Sequence, residues 1–182
     1  MNLFYLDHDL DRCAEYHIDK HVTKMILEAA QLLTTTLWVD KHIGFCPRKL
    51  TKEENALLTD LKRAEPPIDQ RVFTRYLPTH PSHPSAIWVR SSLEHYYWTV
   101  NYANALDSEA QWRGYKPHAS CVEVNRLPLP ENLPNLGFTP PTQAMPDEYK
   151  HPDTVTAYRN YYKGAKSDIA RWTRRDLPDW WN

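Results

Sequence analysis

Glycine is nearly missing from this chain, with four in 182 residues. Neither GxGxxG nor GxxxxGK followed by Ser or Thr occurs, which excludes the glycine-rich phosphate loops. Cysteines number three, Cys13, Cys46 and Cys121, widely spaced and with no CxxC. That pattern argues for reduced thiols in a cytoplasmic setting. No apolar run approaches 18 residues, so no membrane span and no membrane partner are expected. The opening MNLFYLDHD lacks the basic region and apolar stretch of a signal peptide. Net charge is −1, which argues against gripping nucleic acid by bulk charge. The balance is local, however: from Lys150 onward seven Lys and Arg face four Asp.

Aromatic residues and proline are abundant: seven Trp, eleven Tyr, four Phe and fifteen Pro. Many prolines beside few glycines predict ordered, extended connections. The length suits one mainly α-helical domain over 1–182, with residues 40–84 as an elaboration of it.

One stretch organises the reading. Asp9 to Val39 is amphipathic and reads as a single long helix. At about 100° per residue, Cys13, His17, His21, Lys24, Glu28, Gln31 and Thr35 share a polar stripe. Ala14, Ile18, Val22, Met25, Ala29 and Leu32 form the core face beside it. Before it, Met1 to Leu6 is a short extended segment. Thr51-Lys-Glu-Glu54 is a capping box that opens a helix to about Ala64, stopped by Pro66-Pro67.

Two further long helices are expected. Ser85 to Arg113 is apolar nearly all round and should lie centrally, with Gly114 as its stop and Arg90 paired to Glu94 at i, i+4. Asp153 to Trp172 carries the apolar stripe Val155, Tyr158, Tyr162, Ile169, flanked by Arg159, Lys163 and Lys166. Between them, the proline-rich 138–149 loop, with Thr139, Thr142, Gln143 and Met145, reads as either a lid or a strap over the core. Basic and aromatic residues in the tail suit phosphate and base contacts or packing into the body.

The polar stripe supports three readings. His17 and His21, at i and i+4, could hold a metal with Glu28, Cys13 or His83 as third ligand, giving a metal-dependent hydrolase; Lys24 on the same face opposes a cation. The stripe could instead bind an anionic, base-bearing substrate. Lys24 and a histidine would hold phosphate, Gln31 would hydrogen-bond, and Glu28, His21 and His17 would move protons or stabilise an oxocarbenium-like state. Or it is a structural polar layer beneath the proline-rich loop. Arg90, Gln143, Arg159 and Lys163 are additional candidates for substrate binding. A non-catalytic module that binds nucleic acid or protein is the remaining class.

The pattern from Met1 to Leu33, with HPSAIWVR, TPPTQAMPDEY and AYRNYY, resembles a family of small phage-encoded proteins of uncharacterised activity. The resemblance covers most of the chain outside 40–80. A more distant similarity is to the phage pyrimidine-dimer DNA glycosylases of the endonuclease V type. It rests on an extended segment leading into a helix with Ala14 and His17, on the turn Arg113-Gly114-Tyr115, and on the aromatic, basic C-terminal part around Tyr158, Tyr161, Tyr162 and Trp172. That similarity implies an all-helical body and a DNA-repair activity on a damaged or modified base in the host cytoplasm. It also implies attack at the sugar C1′ by an α-amine, assisted by a first-helix glutamate. Where that glutamate would fall, this chain has Lys24, with Glu28 a turn further on. DNA or a nucleotide is thus the expected partner.

Overall fold

The computed structural model of the chain describes residues 1–64 and 75–181. Those residues form seven α-helices and no strand. They are α1 (Leu10–Glu15), α2 (Asp19–His42), α3 (Lys52–Ala64), α4 (Pro84–Val89), α5 (Leu93–Trp112), α6 (Ala119–Val124) and α7 (Thr154–Lys166). Single 3₁₀ turns lie at Asp147–Tyr149 and Ser167–Ile169. The mainly α architecture matches the sequence pattern, with four long helices in place of three.

The expected Asp9–Val39 helix is broken. α1 ends at Glu15, and Ile18 is extended (φ −64, ψ 154) as the N-cap of α2. The cause is competition for carbonyls. A fully buried guanidinium, that of Arg113, donates to the carbonyls of Glu15 and His17 at 2.8 Å each, and to the carboxylates of Asp19 (2.9 Å) and Glu109 (2.7 Å). Trp172 Nε1 donates to the Tyr16 carbonyl at 3.0 Å. Carbonyls that a continuous helix would spend on its own amides are taken by donors from elsewhere. Periodicity cannot register this, because the interruption lasts three residues and keeps the stripe nearly in phase.

The expected 85–113 helix is also two. α4 ends at Val89 with Arg90 as its C-cap, and Ser92 caps α5 by accepting from the Glu94 amide. Ser91 Oγ donates back to the Trp88 carbonyl at 2.7 Å, a local bond that competes with helix continuation. The C-terminal stop falls as expected: Gly114 sits at φ +97, and the Tyr115 amide reaches the Ala110 carbonyl at 3.0 Å. The last long helix ends six residues early, at Lys166, and passes through a 3₁₀ turn to Trp172. The capping box at Thr51 and Glu54 is formed in both directions. The Pro66-Pro67 stop lies outside the described residues.

α5 is central and packs chiefly on α2, with α1, α4 and α6 around the pair. Leu3, Phe4, Tyr5 and Leu6 are fully buried among them. At about 1.5–3 kcal/mol for each large apolar side chain removed from water, this short segment is a substantial part of the core. A smaller cluster of Trp38, Val39, Cys46, Leu50 and Leu58 joins the end of α2 to α3.

Candidate functional site: the N-terminal segment on the polar stripe

The polar stripe is where the N-terminal segment lies. An extended chain with no sheet partner leaves its amides and carbonyls unpaired, so side chains must satisfy them. The Asn2 amide donates to Glu28 Oε2 at 2.8 Å. Phe4 stacks on the His21 ring at 4.5 Å between centroids. The Phe4 carbonyl and the Leu6 amide both meet Cys13 Sγ, at 3.4 and 3.3 Å. Residues 2, 4 and 6 thus descend past 28, 21 and 13, antiparallel to the helices. The covering element is the N-terminus rather than the proline-rich loop.

The half of the stripe nearest α1 is closed. Cys13, His17 and His21 are buried. His17 Nδ1 lies 2.7 Å from the Cys13 carbonyl, so it carries the proton, and Nε2 accepts from the Tyr102 hydroxyl at 2.8 Å. His21 Nδ1 pairs with the Tyr162 hydroxyl at 2.8 Å. Burial pushes His17 down to about 3, only partly offset by the Cys13 carbonyl. Burial pushes His21 down to about 4, helped by the charges of Lys166, Lys24 and Lys20. The Cys13 thiol is pushed up to about 12 by the same burial. Both imidazoles are therefore neutral core groups that join helices, which corrects the expectation that they face a substrate. Among the described residues, no three His, Cys, Asp or Glu side chains converge to hold a metal ion.

The other half is open at one edge. Glu28 is 13% exposed and lies 3.4 Å from Lys24, which is 62% exposed, and 3.9 Å from the Met1 amine. Gln31 follows on the same face and is half-buried. Thr35 ends the stripe by exchanging hydrogen bonds with the Thr79 backbone at 3.0 and 3.1 Å. That bond brings the 79–83 segment alongside. His83 caps α4: its Nδ1 accepts from the Ser85 amide at 3.2 Å, which leaves the ring proton on Nε2. Burial lowers the His83 pKa first, then the Met1 ammonium and His80, while Glu28 opposes them. Amine, carboxylate and imidazole therefore share one electrostatic neighbourhood. The buried Ser85 hydroxyl beside it has no polar partner.

The proline-rich loop is a fixed strap across this edge. Its Thr139 carbonyl accepts from Trp88 Nε1 at 3.1 Å, and its Ala144 carbonyl from Asn2 Nδ2 at 3.0 Å. The Tyr158 hydroxyl lies 2.7 Å from the Thr142 carbonyl and 2.9 Å from Asn2 Oδ1. Gln143 closes a local loop on the His151 backbone at 2.6 and 3.1 Å, so its amide is spent within the strap.

Two other expected contributors are structural. Arg90 does not pair with Glu94. It is 1% exposed and donates to the carbonyls of Cys46 (2.7 Å), Pro81 (2.5 Å) and Arg48 (2.5 Å). The break at Ser91–Ser92 separates it from Glu94, which instead accepts from Asn135 at 3.0 Å. Arg159 holds the N-terminal segment through the Leu6 carbonyl (2.8 Å) and Asp7 (2.9 Å), with its guanidinium over Tyr16 and Trp180. Lys163 is exposed on α7. The terminal tryptophans fold back onto Trp172 and Tyr16.

Of the nine candidates, Lys24 and Glu28 meet at 3.4 Å, with Gln31 following on the same helix face. His17 and His21 are drawn into the core, and Arg90, Gln143, Arg159 and Lys163 lie elsewhere. Asn2 and Arg113 were not singled out as functional from their own residue pattern. The signal available for Asn2 was the unpaired backbone of an extended segment; a lone arginine near a helix end carried none for Arg113. Comparison with protein families, with characterised proteins and with solved structures finds no match for this chain.

Proposed function

We propose that the protein acts on DNA as an N-glycosylase or related enzyme for a damaged or modified base, with Glu28 as the group that meets the reacting sugar. The reading is carried by one observation: Glu28 stands at an open edge, held by the Asn2 amide at 2.8 Å, with the Met1 amine at 3.9 Å. Cleavage of a glycosidic bond develops positive charge at C1′ and its ring oxygen, and a fixed carboxylate stabilises that charge. Lys24 is placed for a flanking phosphate, and His83 Nε2–H is a donor for the leaving base.

Two routes fit the same groups. In one, Glu28 orients a water; its oxygen bonds to C1′, the bond from C1′ to the base nitrogen breaks, and the base leaves with that electron pair and a proton. In the other, Glu28 accepts a proton from the Met1 ammonium and the freed amine bonds to C1′ as the base leaves. Loss of the second amine proton and opening of the sugar ring then give an imine. Borohydride reduces an imine to a stable amine, so covalent trapping separates the routes, and the intact mass of the purified protein reports which residue carries the amine.

The deciding experiment is base release from duplexes that carry defined lesions. Glu28→Gln, which keeps an acceptor for the Asn2 amide, is expected to slow release about 100-fold or more while the fold persists. Full activity in that variant would remove Glu28 from its role. No release and no trapping with any modified duplex would sink the enzyme reading and leave a binding module.

A further inference from the structure

The bond between His21 and Tyr162 joins α2 to α7 at one point, and the residues on either side of that point are basic. Lys20 and Lys24 flank His21 on α2, and both are exposed. Lys166 lies one turn beyond Tyr162 and closes α7. Its charge, like those of Lys24 and Lys20, is felt at the His21 ring. Arg171 joins them, because its carbonyl accepts from the Asp19 amide at 2.8 Å, immediately before Lys20. Two helices and a following turn thus bring three lysines around the His21 ring and anchor the Arg171 backbone beside Lys20, on a chain whose net charge is −1.

Among the carboxylates of the same segments, Glu28 offsets the charge of Lys24, 3.4 Å away. Asp19 is occupied by Arg113 and by Thr173 Oγ1 at 2.8 Å. Glu28 sits at the far edge, with the N-terminus, and Asp168 is the remaining one. Aromatic surface borders the cations. Lys166 Nζ lies 4.9 Å from the centroid of Tyr161, whose ring is 5.3 Å from that of Tyr149. Both tyrosines are half-exposed. Tyr149 is seated against Gly164, where a Cβ would collide with its ring. That contact fixes the end of the 138–149 strap beside the lysines.

We infer that Lys20, Lys24, Lys166 and Arg171 form a track for the phosphate backbone of a DNA strand, with Tyr149 and Tyr161 as stacking surface for an unpaired base. Lys24 ends the track within 3.4 Å of Glu28, so a strand lying on it is delivered to the carboxylate. Flexible ammonium groups suit phosphates as point charges, and tyrosine faces accept any base. The inference rests on the DNA-processing reading for its occupant, but binding is measured apart from base release.

The test is fluorescence anisotropy of the full chain with a labelled, undamaged oligonucleotide, single-stranded and duplex, across a salt series. Each phosphate contact adds about 0.7 to the log–log salt slope for single strands and about 0.9 for duplex, so four contacts predict a slope near −3. Lys20→Glu with Lys166→Glu is expected to weaken binding tenfold or more at low salt and to flatten the slope by about 1.4–1.8. Lys→Gln at the same positions gives a smaller change in the same direction, and thermal melting confirms the fold. A control pair, Lys52→Glu with Lys62→Glu on exposed α3, is expected to leave binding within about twofold. Equal loss in the control pair, or no loss in either, overturns the track. So does binding to phosphatidylserine vesicles without binding to either oligonucleotide. Salt-dependent binding that needs Lys20 and Lys166, with no base released from any lesion, upholds the track while the glycosylase reading fails.

Discussion

The two halves of the polar stripe share one helical period and have opposite fates. Near α1, Cys13, His17 and His21 are enclosed, neutral and fully engaged with tyrosine hydroxyls and backbone carbonyls. Farther along α2, Lys24 and Glu28 lie 3.4 Å apart and reach solvent at one edge. The dividing element is Met1–Leu6. Its apolar side chains seal the first half, and at the second half its Asn2 amide is held by Glu28 at 2.8 Å. A polar stripe on a helix is therefore not yet a site. It becomes one only where its polar groups still reach solvent.

Four perturbations probe that contrast, and the largest falls on the closed half. Arg113→Ala would leave Asp19 and Glu109 without their shared cation and the carbonyls of Glu15 and His17 without a donor. A loss of about 3–5 kcal/mol in urea denaturation is expected. A loss below about 1 kcal/mol would mean that the α1–α2 break is held by other contacts, Trp172 first among them.

Acid is the next test. Unfolded imidazoles titrate near pH 6.5, whereas folded His17 is pushed down to about 3 and His21 to about 4. Between those limits the unfolded chain binds more protons than the folded one. The stability these two groups allow is thus complete above pH 6.5 and falls as pH drops towards 4, by on the order of 1 kcal/mol per unit for each. Urea midpoints at pH 7, 6 and 5 measure the slope. Replacing His17 by Leu together with Tyr102 by Phe should flatten it, because both polar partners leave together. An unchanged slope would show that His17 is not held neutral.

Gly164→Ala separates strap from helix. In an ordinary exposed helix this change stabilises by about 0.8–1 kcal/mol. Here the added Cβ meets Tyr149, so a loss of about 1 kcal/mol is expected, with faster proteolysis at 138–149. A gain in stability would show that the strap is not seated on α7.

The smallest effect belongs to the open half. Lys24→Ala should change stability by less than about 0.5 kcal/mol, since its pair with Glu28 is largely solvent-exposed. The same substitution should weaken oligonucleotide binding severalfold, so stability and function part company at this residue. A cost of 2 kcal/mol or more would make Lys24 a structural residue and erase the contrast.

Much of the architecture was legible without the structure, because it is written in local chemistry. Hydrophobic spacing marks three long helical stretches, two of which the structure breaks. The Thr51–Glu54 capping box, the Gly114 stop and the extended first residues each depend on neighbours in the chain. The grouping of Lys24 with Glu28 follows from their i, i+4 spacing alone. Only the tertiary structure decided which half of the stripe would be buried, because that depends on the Met1–Leu6 segment folding back antiparallel on it. It likewise decided where α1 gives way to α2, since Arg113 reaches the Glu15 and His17 carbonyls from another element, and a one-dimensional period cannot register a donor that arrives from elsewhere. The polar stripe was set by the sequence; its division into a sealed core and an open edge was set by where the N-terminus comes to rest.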